Sequence, residues 1–345
     1  MSFKIMRSDP AAVRADAVVI TTGREPVPGT GTDQNIYEAG DSRRIPEARK
    51  RIGVIEPGHA AVTRSYGLLS RYLIHTVVPV WQGGGSGELE TVRSCYRESL
   101  RLARKVMCRT AAFPLFPKDG EGYPGDKVLE IAVSCFKEYL NEHEMDIYLM
   151  IASTDDIVIP EAEDMGIDTF IRKSFRKSFR ESFREPVMES ASYAPSPRRG
   201  RESARPHGAL AGSSFQRDKM RASQPSLSYF MTHVGENFRE MLLRLIDEKG
   251  FSDPYVYKKA NLDRKLFSKI RCNPDYCPSR KTVIALAIAL ELTLDETSDL
   301  LSRAGYAFSP GSKADLIVEF CILNKIYDIF EVDMLLFKYG QPTLR

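Results

Sequence analysis

The sequence predicts an α/β protein, a three-layer α/β/α sandwich on a largely parallel sheet, followed by a second, all-helical domain. Over the first 151 residues, short β-branched runs alternate with stretches of helical spacing, which implies crossover connections between parallel strands. From about Leu227 the strand signals stop, and apolar residues recur only at three- and four-residue intervals. The length agrees, since 345 residues exceed what one hydrophobic core usually organises.

Taken in order, the first strand is the run AVVIT at 17–21, and a helix opens at 32–40. Residues 73–80 (LIHTVVPV) read as a buried strand. Residues 89–106 follow with Leu100, Ala103 and Val106 on one helical face. An apolar run at 111–116 is cut off by Pro117. A helical pattern at 127–140 and a last strand at 146–151 complete the alternation, and 152–170 add a helix or turn.

Two Gly-containing stretches fall after strands, PVPGTGTDQNIYEAG at 26–40 and FPLFPKDGEGYP at 113–124. Glycines let backbone N–H groups approach an anion, and the helix N-terminus that follows adds a favourable dipole. Gly-Glu-Gly also makes an ordinary turn, and Asp33 also serves as a helix cap. In parallel sheets ligands gather at the carboxyl ends of strands, where both stretches lie.

The 43% hydrophobic and 28% charged residues suit a soluble chain. No apolar run reaches the roughly 18 residues of a membrane helix, and residues 1–16 lack the apolar core of a signal peptide. The six cysteines sit mostly in apolar or helical patterns, as expected of reduced thiols in a cytoplasmic protein. The net charge of +3 hides an asymmetry: residues 171–229 carry 13 Lys and Arg against 5 Asp and Glu, while 230–345 carry 16 of each.

The order of motifs over 1–151 resembles the macrodomain family of ADP-ribose-binding modules. The opening Gly-Asp-Ile-Thr motif is matched at Asp9 alone. The strand motif Asp-Ala-Ile-Val-Asn-Ala-Ala-Asn appears as Asp16-Ala17-Val18-Val19-Ile20-Thr21-Thr22-Gly23, and the Gly-rich loop with Val-Asp as Gly29-Thr30-Gly31-Thr32-Asp33. Gly58-His59-Ala60-Ala61-Val62-Thr63 resembles the Gly-x-Ala-x-x-Thr segment, and Ile74 to Trp81 the next strand. Cys95-Tyr96 with Ser99-Leu100, then Ala112-Phe113-Pro114, lead to Gly122-Tyr123-Pro124 in the second loop.

The resemblance implies ligand-binding roles for Asp9, Thr21, Gly29, Thr30, Gly31, Asp33, Lys118, Asp119, Gly120, Glu121 and Gly122. Asp9 would accept a hydrogen bond from the adenine amine. The 29–33 loop would wrap the distal ribose, and the 118–122 loop would cradle the diphosphate with its amides. The family's hydrolytic pair is an Asn and an Asp; Gly23 replaces the Asn, which leaves Asp33 as the one catalytic candidate. The second loop, Pro117 to Gly122, also lacks the family's aromatic residue and carries two carboxylates. Cofactor and metal are expected to be none. His75 reads as a hydrogen-bonded core residue and Trp81 as packing.

A tetrad repeat at 173–184 (KSFR, KSFR, ESFR) puts Phe on one side of a helix at 171–185. It suits either a basic amphipathic surface or a solvated helix. Residues 186–226, rich in Ser, Pro and Arg, read as a disordered linker. Beyond it, helices at about 238–249, 253–260, 264–271, 280–292 and 294–304 resemble the lambda-repressor-like helix-turn-helix family, and two more follow. In that resemblance Arg264, Lys265, Ser268, Lys269 and Arg271 face outward toward DNA from a recognition helix. The domain's zero net charge equally suits protein contact.

These readings give an ADP-ribose-binding module (1–170) joined through the linker to a helical domain (227–345). The partner is an ADP-ribose-containing small molecule or an ADP-ribosylated protein, with protein or DNA at the helical domain. The alternatives are an ADP-ribose ester hydrolase and a DNA-binding regulator with a nucleotide effector site.

Overall fold

The computed structural model describes residues 2–27, 32–116, 122–151, 157, 161–182, 235–274 and 276–345, with the backbone alone at 32, 34, 161–163 and 175–182. Six strands form one sheet in the order β1-β6-β5-β2-β4-β3. They are β1 (Ser2–Met6), β2 (Ala17–Thr21), β3 (Ala60–Arg64), β4 (Tyr72–Thr76), β5 (Thr110–Pro114) and β6 (Asp146–Met150). Every ladder is parallel except the one joining β3 to β4.

Alternation along β2 explains the layering. Ala17 and Val19 point into a core with α3 (Glu88–Lys105) and α4 (Gly125–Glu142), while Val18 and Ile20 point into one with α1 (Thr32–Ala39) and α2 (Arg44–Ile52). A strand buried on both faces reads as a continuous apolar run, as AVVIT does. At the amino ends of the strands Asp16 acts as a staple. Its carboxylate accepts from the amides of Arg109 and Thr110 at 2.7 and 3.0 Å, and its carbonyl from those of Arg71 and Tyr72 at 3.0 and 2.9 Å.

Three elements are absent from the sequence reading. β1 has only Phe3 and Ile5 buried, β3 is a half-covered edge, and α2 is mostly charged. The run at 73–80 is shorter as a strand than expected: pairing stops at Thr76, and the chain leaves the sheet ahead of Pro79, which has no N–H to give a ladder.

Helix α5 (Glu161–Ser182) crosses the expected boundary at 170. Then come α6 (Phe238–Glu248), α7 (Asp253–Lys259), α8 (Arg264–Cys272), α9 (Arg280–Ala289), α10 (Leu294–Arg303), α11 (Lys313–Leu323) and α12 (Ile329–Lys338). Each from α6 onward starts on a side-chain cap, in turn Asn237, Ser252, Asp263, Ser279, Thr293, Ser312 and Asp328. Such caps satisfy amides the helix itself leaves unpaired. The hairpins α7–α8, α9–α10 and α11–α12 turn on left-handed residues that are not glycine, Asn261, Glu291 and Lys325. Among the described helices none is long and apolar enough to cross a membrane. Cys95, Cys108, Cys135 and Cys321 are buried, whereas Cys272 and Cys277 are exposed; all six are free thiols.

The sequence divides at 170 and 226, yet residues 1–178 and 237–345 form one compact unit; a second unit, 179–236, is described only at its two ends. The C-terminal helices close the outer edge of the sheet. Phe330 of α12 packs on the core beneath α3 and α4, its ring centroid 4.7 Å from that of Phe3, and Met334 and Phe337 follow it there. Lys137 of α4 pairs with Asp328. At β1 the buried side chain of Asn261 accepts from the Phe3 amide and donates to the Phe3 carbonyl, both at 2.8 Å. It takes the place of a neighbouring strand on an edge that would otherwise stay open.

Replacing Asn261 with glycine keeps the left-handed turn accessible but deletes both bonds. The Asn261→Gly protein is expected to lose about 2–4 kcal/mol of stability, because two buried main-chain groups are left unpaired. Urea unfolding measures the loss, and amide exchange at Phe3 should accelerate with it.

Candidate ligand-binding crevice

Parallel ladders elsewhere in the sheet run through five residue pairs, but β2 and β5 pair only at Ala17 with Ala111 and Val18 with Ala112. Connections also reverse here. From β2 the chain crosses through α1 and α2 to β3 and β4, and from β5 through α4 to β6. This is the switch point of an open α/β sheet, where the loops leave in opposite directions and a crevice opens at the carboxyl ends. One wall leads from Thr21, Thr22 and Gly23 to the start of α1. The other leads from Leu115 and Phe116 to Gly122 and the start of α4.

On the first wall Thr21 is half-buried at the strand end. Gly23 is exposed, with ordinary backbone, and among the described residues a Cβ built there meets only the Glu25 carbonyl, 3.8 Å away. Asp33, in the first turn of α1, is 1% exposed. It lies within electrostatic reach of Tyr37, one turn on, and of Arg49 from α2, itself 2% exposed. Burial, reinforced by the Asp33 charge, pushes the Tyr37 phenol up to about 12.

On the second wall Gly122 adopts φ +81°, and a Cβ there would come 3.1 Å from Trp81 Cδ1. The Trp81 ring also covers Gly84 and sits 4.7 Å from Tyr123, whose hydroxyl donates to the Pro79 carbonyl at 2.8 Å. Trp81 is therefore packing, as its sequence context suggests, and it props the stem of the second loop. Asp9, past β1, is exposed; its Oδ1 accepts from the Ala11 amide at 2.9 Å and closes a turn. Gly29, Thr30, Gly31, Lys118, Asp119, Gly120 and Glu121 lie outside the described residues, as does the 186–226 segment.

Sequence reasoning missed Arg49 and Tyr37. The available signal was faint: Arg49 falls four residues after Ile45, on the apolar side of a helix otherwise rich in exposed charge.

The basic helix α8 sits elsewhere. Phe267 and Ile270 are buried, and Arg264, Lys265, Ser268, Lys269 and Arg271 are exposed. Arg264, Lys265 and Ser268 share a hollow with Glu144, just before the amino end of β6 and so far from the crevice. Lys269 lies 4.3 Å from the Tyr276 ring centroid, and Arg271 pairs with Asp253.

His75 is fully buried on β4, its Nε2 2.9 Å from Thr63 Oγ1. Burial, with Arg49 nearby, lowers its pKa to about 3. A depressed histidine stabilises the fold above its unfolded value near 6.5, and the contribution fades as pH falls from there toward about 3. Relative to a His75→Gln variant, the wild type should therefore lose about 1.4 kcal/mol per pH unit across that window. Urea midpoints taken from pH 7 to pH 4 check this, and parallel curves for the two proteins would contradict it.

The Macro domain family matches residues 19–132. A macro domain-containing protein of Methanosarcina mazei is 38% identical over 154 residues, which span 44% of this chain and 82% of that protein. The human protein named ADP-ribose glycohydrolase MACROD2 is 33% identical over 145 residues, 41% of this chain and 34% of its own length. Among solved structures, an Oceanobacillus iheyensis macrodomain with ADP is 23% identical, covers 44% of this chain and 84% of its own, and superposes with a TM-score of 0.42. The matched segment contains the carboxyl end of β2, all of β4 and β5 and both walls of the crevice, and the chain belongs to the macro domain family.

Proposed function

We propose that the crevice between β2 and β5 binds ADP-ribose, free or attached to a protein, and that this chain is a reader of that group. The observation that carries the reading is the early end of the β2–β5 ladder, with a Gly-containing loop and a helix N-terminus on each side. Such termini favour a diphosphate. In this reading Asp9 accepts from the adenine amine. The amides of Lys118, Asp119, Gly120, Glu121 and Gly122 hold the diphosphate, and Thr21, Gly29, Thr30, Gly31 and Asp33 line the distal ribose. The glycohydrolase name of the human relative keeps a hydrolytic reading in view. Against it, Gly23 supplies no side chain to orient a water molecule, and Asp33 lies buried among Tyr37 and Arg49.

Calorimetry of the full chain with ADP-ribose tests the binding, and no heat at sub-millimolar ligand would defeat it. The Asp9→Ala variant should bind about 1–3 kcal/mol more weakly, the range expected when a charged acceptor loses its partner.

Catalysis has a separate test. The wild type is expected to release acetate from O-acetyl-ADP-ribose only slowly in a single-turnover assay. Among the described residues nothing blocks a side chain at Gly23, so Gly23→Asn should raise that rate by about tenfold or more, as for a positioned polar group. Fast hydrolysis by the wild type would instead assign the chemistry to Asp33 or Glu121.

A further inference from the structure

Arg49 is the largest fully buried side chain in the described structure, and neither the fold nor the binding roles above require a cation there. Its neighbours in α2, Lys50 and Arg51 among them, are exposed, as the charge of the helix dictates. Taking a guanidinium out of water is unfavourable unless its donors and its charge are met. Here the two terminal nitrogens are met by main chain, while Nε has no hydrogen-bond partner among the described residues. Nη1 donates to the Gly53 carbonyl that ends α2, and Nη2 donates to the carbonyls of Gly23 and Arg24 at 3.1 and 3.2 Å. Tyr37, Asp33 and Glu25 lie within electrostatic reach of the charge, yet burial outweighs them and lowers the Arg49 pKa.

Arg49 is hydrogen-bonded to the start of a single loop, and the buried Asp33 at its far end lies within electrostatic reach. Gly23 and Arg24 are where the chain leaves β2, and Asp33 is where it enters α1. The Arg24 carbonyl also accepts from the Ile55 amide at 3.1 Å, and its side chain forks onto Glu56 at 3.0 and 2.6 Å, so the entry is latched to the segment after α2. The opposite wall has its own prop in Trp81 and, among the described residues, shares none of these contacts.

We propose that Arg49 is the positioning residue of the first wall: hydrogen-bonded to the carbonyls of Gly23 and Arg24, one buried cation fixes the start of the β2–α1 loop and so sets the fit of the ribose beyond the diphosphate. The proposal rests on the ADP-ribose reading of the crevice. It makes a demand that a merely structural arginine does not: removing Arg49 must hurt recognition of the distal ribose and spare the nucleotide end.

The test compares the full-length wild type with Arg49→Met and Arg49→Lys, using ADP-ribose and ADP as ligands in calorimetry. Arg49→Met should weaken ADP-ribose about 10- to 100-fold, and ADP by no more than about threefold, as expected from losing charged hydrogen bonds on one wall only. Arg49→Lys keeps the charge but cannot span three carbonyls, so its ADP-ribose affinity should fall between the other two. Amide exchange should rise at residues 23–27 in Arg49→Met and stay unchanged at residues 122–125.

Equal losses for both ligands, or a spared ADP-ribose affinity, would overturn the proposal. If Arg49→Met does not fold, Arg49→Lys carries the ligand comparison against the wild type, with the same selective loss for ADP-ribose expected. A wild type that binds neither ligand would sink the crevice reading, while the exchange data would still decide whether Arg49 holds the loop.

Discussion

The arrangement follows from a conflict at one ladder. Parallel strands need crossovers, and a sheet that grows in both directions from a central pair must send those crossovers apart. β2 and β5 are that pair, and they share only two residue pairs before their continuations diverge. Their amino ends cannot spread, because Asp16 ties them to each other and to the start of β4. All the divergence therefore appears at the carboxyl ends. There it leaves a crevice bounded by the first turns of α1 and α4, both with N–H groups to offer.

The two walls are held by different physics. Trp81 supports the β5–α4 side through close apolar contact, which glycine at 84 and 122 permits and a Cβ would disturb. On the β2–α1 side the buried Arg49 donates to the carbonyls of Gly23 and Arg24, with Asp33 within electrostatic reach. The same buried cation helps keep His75 neutral, so the interior beneath this wall carries one deliberate positive charge and excludes a second. A carboxylate in that setting is partly committed to charge balance, and Asp33 is therefore poorly suited to act alone as a base.

The outer edge of the sheet poses a different demand. β1 pairs with β6 on one side only, and its other row of main-chain groups must be satisfied or exposed. The C-terminal helices meet this demand through Asn261, while Phe330 extends the macrodomain core. The helical region is consequently part of the same folding unit as the sheet. Its basic helix α8 faces away from the crevice, near the amino ends of the strands.

The sequence by itself determined the local elements. AVVIT is a doubly buried strand because its residues leave no polar face, and the helices from α6 to α12 are legible because each opens on a Ser, Thr, Asn or Asp cap. The family and the two glycine-containing loops were legible as well, since glycine spacing and strand order are written along the chain. Tertiary structure alone decided the rest. Arg49 reads as one more charge on a charged helix until the fold shows which carbonyls surround it. Asn261, Glu291 and Lys325 give no glycine signal at turns that packing forces into the left-handed region. Asn261 and Phe3 are 258 residues apart, and no local pattern specifies which distant side chain will complete an open strand edge. Such pairings depend on shape and on buried hydrogen bonds between remote segments, which exist only once the chain has closed upon itself.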